Sequence, residues 1–366
     1  MIWTGFRQES YIYRRVTWPG LVEAEDYGMF TGGRLTHSAL SQLRSQGTLD
    51  FSGSAMPDEH DLVRVYYQME DERGEAGTFA LGTYFCSIGS PDYDGPMVSG
   101  SVDLESTLRL AVKGKYGRYY TVKAGTNAVA HADGIFKRLG LRTNEPRCDY
   151  VLPRDVVYGP DDSWLTIAND LLAMAGFASA YPDAYGVIQM VPYVEPQART
   201  PVRVFNDGSD SIMLPRVSRS DNADDIPNAV YLTYETEEES LWAVCRNTDP
   251  NSRASIPYRG YEVPLVDQVT ELTGATKEER LEALKSKAKT KLVDNSSSIE
   301  YVEWGHAWVP LLPNDAVGID YLTAGLNWRG AITEQEIEVG GHCAVTGKAR
   351  RFIRSGFVTE TEGGSW

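Results

Sequence analysis

At 366 residues and 42% hydrophobic content, the chain exceeds what one hydrophobic core usually serves, so two or three domains are expected. Its net charge of −16 argues against nucleic-acid binding, which needs cations to replace condensed counterions. That charge leaves either repulsion of DNA or plain solubility as its use. The longest apolar run, Leu171–Ala178, is far shorter than the roughly 20 residues of a membrane helix, and the mixed Met1–Ser10 stretch does not read as a signal peptide.

Residues 1–115 read as a first domain of strands and turns. Asp61–Met69 alternates, with Val63, Val65, Tyr67 and Met69 on one face. Glu72-Arg73-Gly74-Glu75 turns the chain, and Thr78–Ser87 alternates again with Phe79, Leu81 and Phe85 in phase. Gly47–Gly53 adds Leu49 and Phe51, and Ser101–Leu104 adds Val102 and Leu104. So little helical period over this length predicts a β-barrel or sandwich.

Residues 116–200 read as a small α/β domain. Asn127 can cap a helix whose Ala132, Ile135, Phe136 and Leu139 share a face, ended by Gly140. Trp164, Ile167, Ala168, Leu171, Leu172 and Ala175 form the apolar stripe of a second helix, with Ser163 or Asp162 as cap and Gly176 at its close. Pro182-Asp183-Ala184-Tyr185-Gly186 then joins two short apolar runs as a hairpin turn.

Residues 201–366 return to strands at Val202–Phe205, Ile212–Leu214, Ala229–Tyr234, Ile299–Trp304, Ala307–Val309, Ala316–Tyr321 and Ala331–Val339. Glu237-Glu238-Glu239 reads as a hairpin tip. Thr276-Lys277-Glu278-Glu279 is a capping box, opening a helix with Leu281, Leu284, Ala288 and Leu292 on one side.

Chemical signatures are sparse. Cys86, Cys148, Cys245 and Cys343 lie far apart without a CxxC, which reads as four separate reduced thiols. His37, His60, His131, His306 and His342 show no HxH or HxxxH spacing, and no GxSxG, P-loop or GxGxxG occurs. No catalytic residue, metal ligand or cofactor is therefore expected. With 51 carboxylates, coincidental pairs are common and do not by themselves mark a glycosidase dyad. Trp3, Trp18, Trp304, Trp308 and Trp328 are of a type that stacks on sugars, although half-buried sheet aromatics are the commoner explanation. A carbohydrate-binding β-protein or glycoside hydrolase remains the alternative.

The series Trp18-Pro19-Gly20, Gly32-Gly33-Arg34-Leu35, Asp61-Leu62-Val63-Arg64-Val65 and Leu81-Gly82-Thr83-Tyr84 resembles the first domain of tail hub proteins of long-tailed bacteriophages, a baseplate family of minor-tail and late-control-type proteins. Arg138-Leu139-Gly140-Leu141, Ser163-Trp164 and Asp183-Ala184-Tyr185-Gly186 are similar to that family's second domain. Pro227-Asn228-Ala229-Val230-Tyr231, the Ala283–Leu292 helix and Pro310-Leu311-Leu312-Pro313-Asn314-Asp315 resemble its later parts.

The resemblance implies a mainly β fold with an α/β insert. Two tube-like β-barrel domains, 1–115 and 201–366, would flank the small α/β domain at 116–200. It implies a structural virion protein, assembled in the host cytoplasm, without an appended lytic domain. A homotrimer would join the tail tube to the tail tip and line a channel through which DNA passes without specific binding. The implied partners are the distal tail protein or tail-tube hexamer, the tape-measure protein and other tail-tip or receptor-binding proteins, with no stable membrane insertion. Candidates for an anionic channel wall are Glu70, Asp71, Glu72, Asp103, Asp207, Asp210, Glu235, Glu237, Glu238 and Glu239.

Overall fold

A computed structural model describes residues 3, 5–58, 62–194, 199–221, 226–236, 239–269, 272, 274, 276–295, 298–353 and 359–365. The chain begins with β1 (Arg7–Thr17), β2 (Val22–Asp26), β3 (Phe30–Ser38), β4 (Ser45–Gly53), β5 (Leu62–Asp71), β6 (Ala76–Ile88), β7 (Asp92–Asp94) and β8 (Met97–Ser106). A mixed segment follows: α1 (Arg109–Lys113), β9 (Tyr120–Val122), α2 (Ala128–Arg138), β10 (Val156–Tyr158), α3 (Trp164–Met174), β11 (Tyr181–Pro182) and β12 (Ile188–Gln189). Next come β13 (Arg203–Asn206), β14 (Met213–Asp221), β15 (Ala229–Glu235), β16 (Ser240–Asn247), α4 (Ile256–Arg259), β17 (Pro264–Gln268) and α5 (Lys277–Asn295). The last strands are β18 (Ser298–Ala307), β19 (Ala316–Tyr321), β20 (Leu326–Val339), β21 (Ala344–Ile353) and β22 (Thr359–Ser365). The fold is mainly β, as expected.

Two compact units emerge, Met1–Val217 with Glu303–Ala349, and Ser218–Val302 with Arg350–Trp366. The first holds most of a 14-stranded sheet ordered β14-β18-β21-β20-β3-β4-β8-β6-β5-β1-β2, with β7 beside β8, β19 beside β20, and β13 beside β19. The sheet has two halves, one from the first eight strands and one from β13, β14 and β18–β21. Their join is the antiparallel β3–β20 ladder, from Ser38↔Glu334 to Gly33↔Val339. Glycines permit the close approach there: a Cβ on Gly32 would stand 2.7 Å from the Val339 carbonyl oxygen, and one on Gly340 2.5 Å from the Gly32 Cα.

Side chains facing inward along the first half, among them Leu35, Leu49, Phe51, Val63, Val65, Tyr67, Val102 and Leu104, build one core with Ile337 of β20 and with Trp308. Side-chain bonds bring β1 against the β20–β21 turn and the segment that follows β18. Glu9 Oε2 accepts from the Cys343 amide at 2.8 Å, the Tyr11 hydroxyl donates to the Gly341 carbonyl at 3.3 Å, and Arg7 Nη1 donates to the Trp308 carbonyl at 2.9 Å. The second half encloses Phe205, Trp304 and Trp328, all buried, with the Phe205 and Trp304 rings 5.3 Å apart, edge to face.

The alternation in Thr78–Ser87 does not hold its phase. The β5–β6 register jumps from Val65↔Gly82 to Tyr66↔Ala80, which bulges Leu81 out of the ladder. Leu81, Tyr84 and Cys86 therefore reach the main core, while Phe85 packs with Val16, Leu21 and Leu62. The expected strand at Ala307–Val309 is also absent as a separate element, because β18 ends at Ala307 and Trp308 donates its amide to Cys343.

In the mixed segment, local rules hold closely. Asn127 Oδ1 accepts from the Ala130 amide at 2.9 Å, Ser163 Oγ from the Thr166 amide at 3.1 Å, and Gly176 takes φ +74 after α3. Ile167, Ala168, Leu171 and Leu172 are fully buried against Ala132, Ile135 and Phe136 of α2. Trp164 is only half-buried; its ring meets Tyr120 edge-on at 5.3 Å with the Arg138 guanidinium 5.4 Å above it. Leu165 is buried in its place.

The second unit contains the four-stranded sheet β17-β15-β16-β22. The capping box forms there: Thr276 Oγ1 accepts from the Glu279 amide at 3.2 Å, and Glu279 Oε2 from the Thr276 amide at 3.3 Å. Leu284, Ala288 and Leu292 of α5 pack on Val230, Leu232, Leu241 and Ala243 of the sheet.

Candidate functional site

The outward face of β20, β3, β4 and β8 is rich in carboxylates. Strand alternation sends Leu35, Leu49, Val102, Leu104, Ile337 and Val339 inward, so their neighbours in sequence must face solvent. The ladders set those neighbours in cross-strand rows: Glu338 opposite Arg34, Arg34 opposite Thr48, and Thr48 opposite Asp103. The next row runs Glu336, Thr36, Gln46 and Glu105, and Asp50 and Glu334 lie beside these rows.

Six carboxylates thus share the face: Asp50, Asp103, Glu105, Glu334, Glu336 and Glu338. Some are neutralised. Arg34 Nη1 meets Glu336 Oε1 at 2.6 Å, Lys348 Nζ meets Glu334 Oε1 at 2.7 Å, and Lys113 Nζ meets Glu105 Oε2 at 2.6 Å. Asp50, Asp103 and Glu338 are exposed and form no ion pair among the described residues. The face is a standing negative surface that crosses the join between the two halves of the sheet.

Of the residues singled out from sequence, Asp103 lies on this face. Glu70 and Glu72 are exposed at the β5–β6 turn, where Asp71 is buried and its Oδ1 accepts from the amides of Arg73 and Glu75. Asp207 is committed to Thr323 and Leu322: hydrogen bonds from the Thr323 hydroxyl and amide, with the Leu322 amide, hold its carboxyl down at about 2. Asp210 is exposed in a turn. Glu235 and Glu239 belong to the second unit, where the Arg280 guanidinium donates to both carboxylate oxygens of Glu239 and lowers its pKa. Glu237 and Glu238 lie outside the described residues. Sequence reading missed Asp50, Glu105, Glu334, Glu336 and Glu338, although Glu334-Gln335-Glu336-Ile337-Glu338 carries the period of two that could have revealed the last three.

The first unit also holds a cavity of about 360 Å³, lined by His37, Arg44, Ser45, Phe79, Leu81, Trp308 and the Asp183–Tyr185 hairpin tip, among others. Its single carboxylate among the described residues, Asp183, is consumed locally, accepting from the Tyr185 and Val187 amides and from Gln189 Nε2, each at 2.9 Å. The carboxylate pair that a glycoside hydrolase requires is not assembled there. Burial holds His37 neutral, its pKa pushed down to about 4, and its Nε2 lies 3.1 Å from the Tyr84 hydroxyl. No group of three or more His, Cys, Asp or Glu with metal-holding geometry occurs among the described residues, and no described helix is long and apolar enough to cross a membrane.

No protein-family model and no curated protein matches the sequence. Solved structures do match, over nearly the whole of both chains. The tail protein from Neisseria meningitidis MC58 aligns at TM-score 0.60 and 11% identity, covering 93% of this chain and 97% of that one. The 43 kDa tail protein of prophage MuSo2 from Shewanella oneidensis aligns at 0.61 and 12%, covering 93% and 98%. Prophage tail protein gp18 from Listeria monocytogenes EGD-e aligns at 0.50 and 9%, covering 94% and 95%. Identities this low speak to architecture alone. The chain has the fold of bacteriophage tail proteins.

Proposed function

We propose that the chain is a structural subunit of a phage tail tip: a homotrimeric hub that joins the distal end of the tail tube to the tip or baseplate and lines the DNA channel. The observation that carries this reading is the acidic outer face of β20, β3, β4 and β8 on a tail-protein fold. Turned toward an axis, that face repels the phosphate backbone over a Debye length, about 8 Å in physiological salt, so DNA passes without adhering. The edge-to-edge join of two strand-built halves supports the symmetry. Three chains present six such halves to a six-fold tube, and a closed ring leaves no free edge for fibre growth.

On this reading the channel wall consists of Asp50, Asp103, Glu105, Glu334, Glu336 and Glu338. The distal tail protein or tube hexamer, the tape-measure protein and the receptor-binding apparatus are the neighbours. The role is architectural, requires no cofactor, and is exercised in the virion. Light scattering with electron cryomicroscopy of the purified full chain tests it. Three copies around an open axis, with the six carboxylates facing inward, are expected. A monomer, or a ring that turns this face outward, overturns it.

A further inference from the structure

The cavity of the first unit combines features that point to an occupant. Its volume of about 360 Å³ falls within the range of ligand sites. Phe79, Leu81, Trp308, Leu311 and Ile337 give it apolar walls, and Ser45 Oγ, 2.7 Å from the Tyr84 hydroxyl, gives it a polar corner. Among the described residues two charged ones line it, and Asp183 is spent on its own turn. The other, Arg44, makes no side-chain hydrogen bond or ion pair among the described residues, and burial lowers its pKa.

The backbone presents Arg44 at a cost. It holds φ +61, a left-handed conformation unusual for a residue with a side chain, pinned by the Ser38 amide on its carbonyl at 2.8 Å and by its own amide on the Ser41 carbonyl at 3.3 Å. A partly desolvated guanidinium without a counter-ion is unfavourable, and a carboxylate supplied from outside corrects it. The apolar lining also continues past the cavity: Leu312 and Tyr185 are 52% and 51% exposed at its rim. An occupant longer than the cavity is thereby accommodated, as a chain segment is and a compact metabolite is not.

We propose that this cavity binds an extended segment of a partner protein, taking an apolar side chain against the wall that Leu81, Trp308 and Leu311 form and an adjoining carboxylate on Arg44. Ser45 offers a hydroxyl to the segment's backbone, and His37, bonded to Tyr84, adds no competing charge. The inference does not depend on the number of subunits, so its failure and that of the hub reading are separable.

Titration of the full chain with N-acetyl-Asp-Phe-amide and its Asn-Phe counterpart, followed by NMR, decides it. The two probes have the same shape and differ in the charge alone. The Asp peptide is expected to bind about tenfold more tightly, the effect of one charge-assisted hydrogen bond. Arg44→Gln is expected to bring it to the level of the Asn peptide, and Arg44→Lys to restore part of the difference. Absence of binding by both peptides, or equal binding, overturns the proposal. Because the Asp–Asn comparison is made on the unaltered chain, the outcome stands even if Arg44→Gln does not fold.

Discussion

Asp50 and Phe51 are neighbours in β4, yet they belong to two regions governed by different physics. Phe51 is buried in the main core, whereas Asp50 stands in water on the acidic face. The inner face sets stability, because each side chain there removes apolar surface from water and fills space that nothing else fills. The outer face is almost free of that constraint, so its six carboxylates are available for a task that folding does not impose. Packing dictates identity on the inner face and leaves it open on the outer face.

The largest test of this division is Phe51→Ala, expected to cost about 3–5 kcal/mol in urea unfolding, since the site loses both transfer energy and packing. A cost as small as that of a surface change would dissolve the distinction between the faces.

The next test uses pH. Burial, acting first, lowers the pKa of both His37 and His306 to about 4, from the ordinary imidazole value of about 6.5. The unfolded chain therefore binds protons that the folded chain refuses. Stability is complete above about pH 6.5 and is lost as the pH falls toward 4, by up to about 3 kcal/mol per histidine. Unfolding curves across this window, flattened in His37→Gln, check the sign; stability rising on acidification contradicts it.

Smaller effects are expected where a single local bond is removed. Asn127→Ala and Ser163→Ala are each expected to cost about 1 kcal/mol, measured by thermal unfolding, as each leaves a first-turn amide of α2 or α3 without its cap. The smallest stability change, within about 0.5 kcal/mol, belongs to the combined variant Asp50→Asn, Asp103→Asn, Glu338→Gln. Its effect should appear as retention of DNA by assembled particles at low salt, relieved as salt screens the phosphates. Marked destabilisation by this variant would assign the outer face a structural role after all.

Much of this protein was determined locally. The caps at Asn127, Ser163 and Thr276, the stripe of Ile167, Ala168, Leu171 and Leu172, and the hairpin turn at Pro182–Gly186 depend on neighbours within about a dozen residues, and the structure has them where the sequence placed them. What tertiary structure alone decided depends on partners far away in the chain. The bulge at Leu81 is invisible to alternation because it is a mismatch between two strands, not a property of one. The acidic face needs β20 beside β3, joining Glu338 to Arg34 across some 300 residues. Carboxylates that looked equivalent in sequence were sorted by their surroundings, Asp207 into hydrogen bonds with Thr323, Glu239 into a clamp by Arg280, and Asp103 into water. A sequence fixes which residues can pair or alternate; only the fold decides which strand lies opposite, and that sets which charges share a surface.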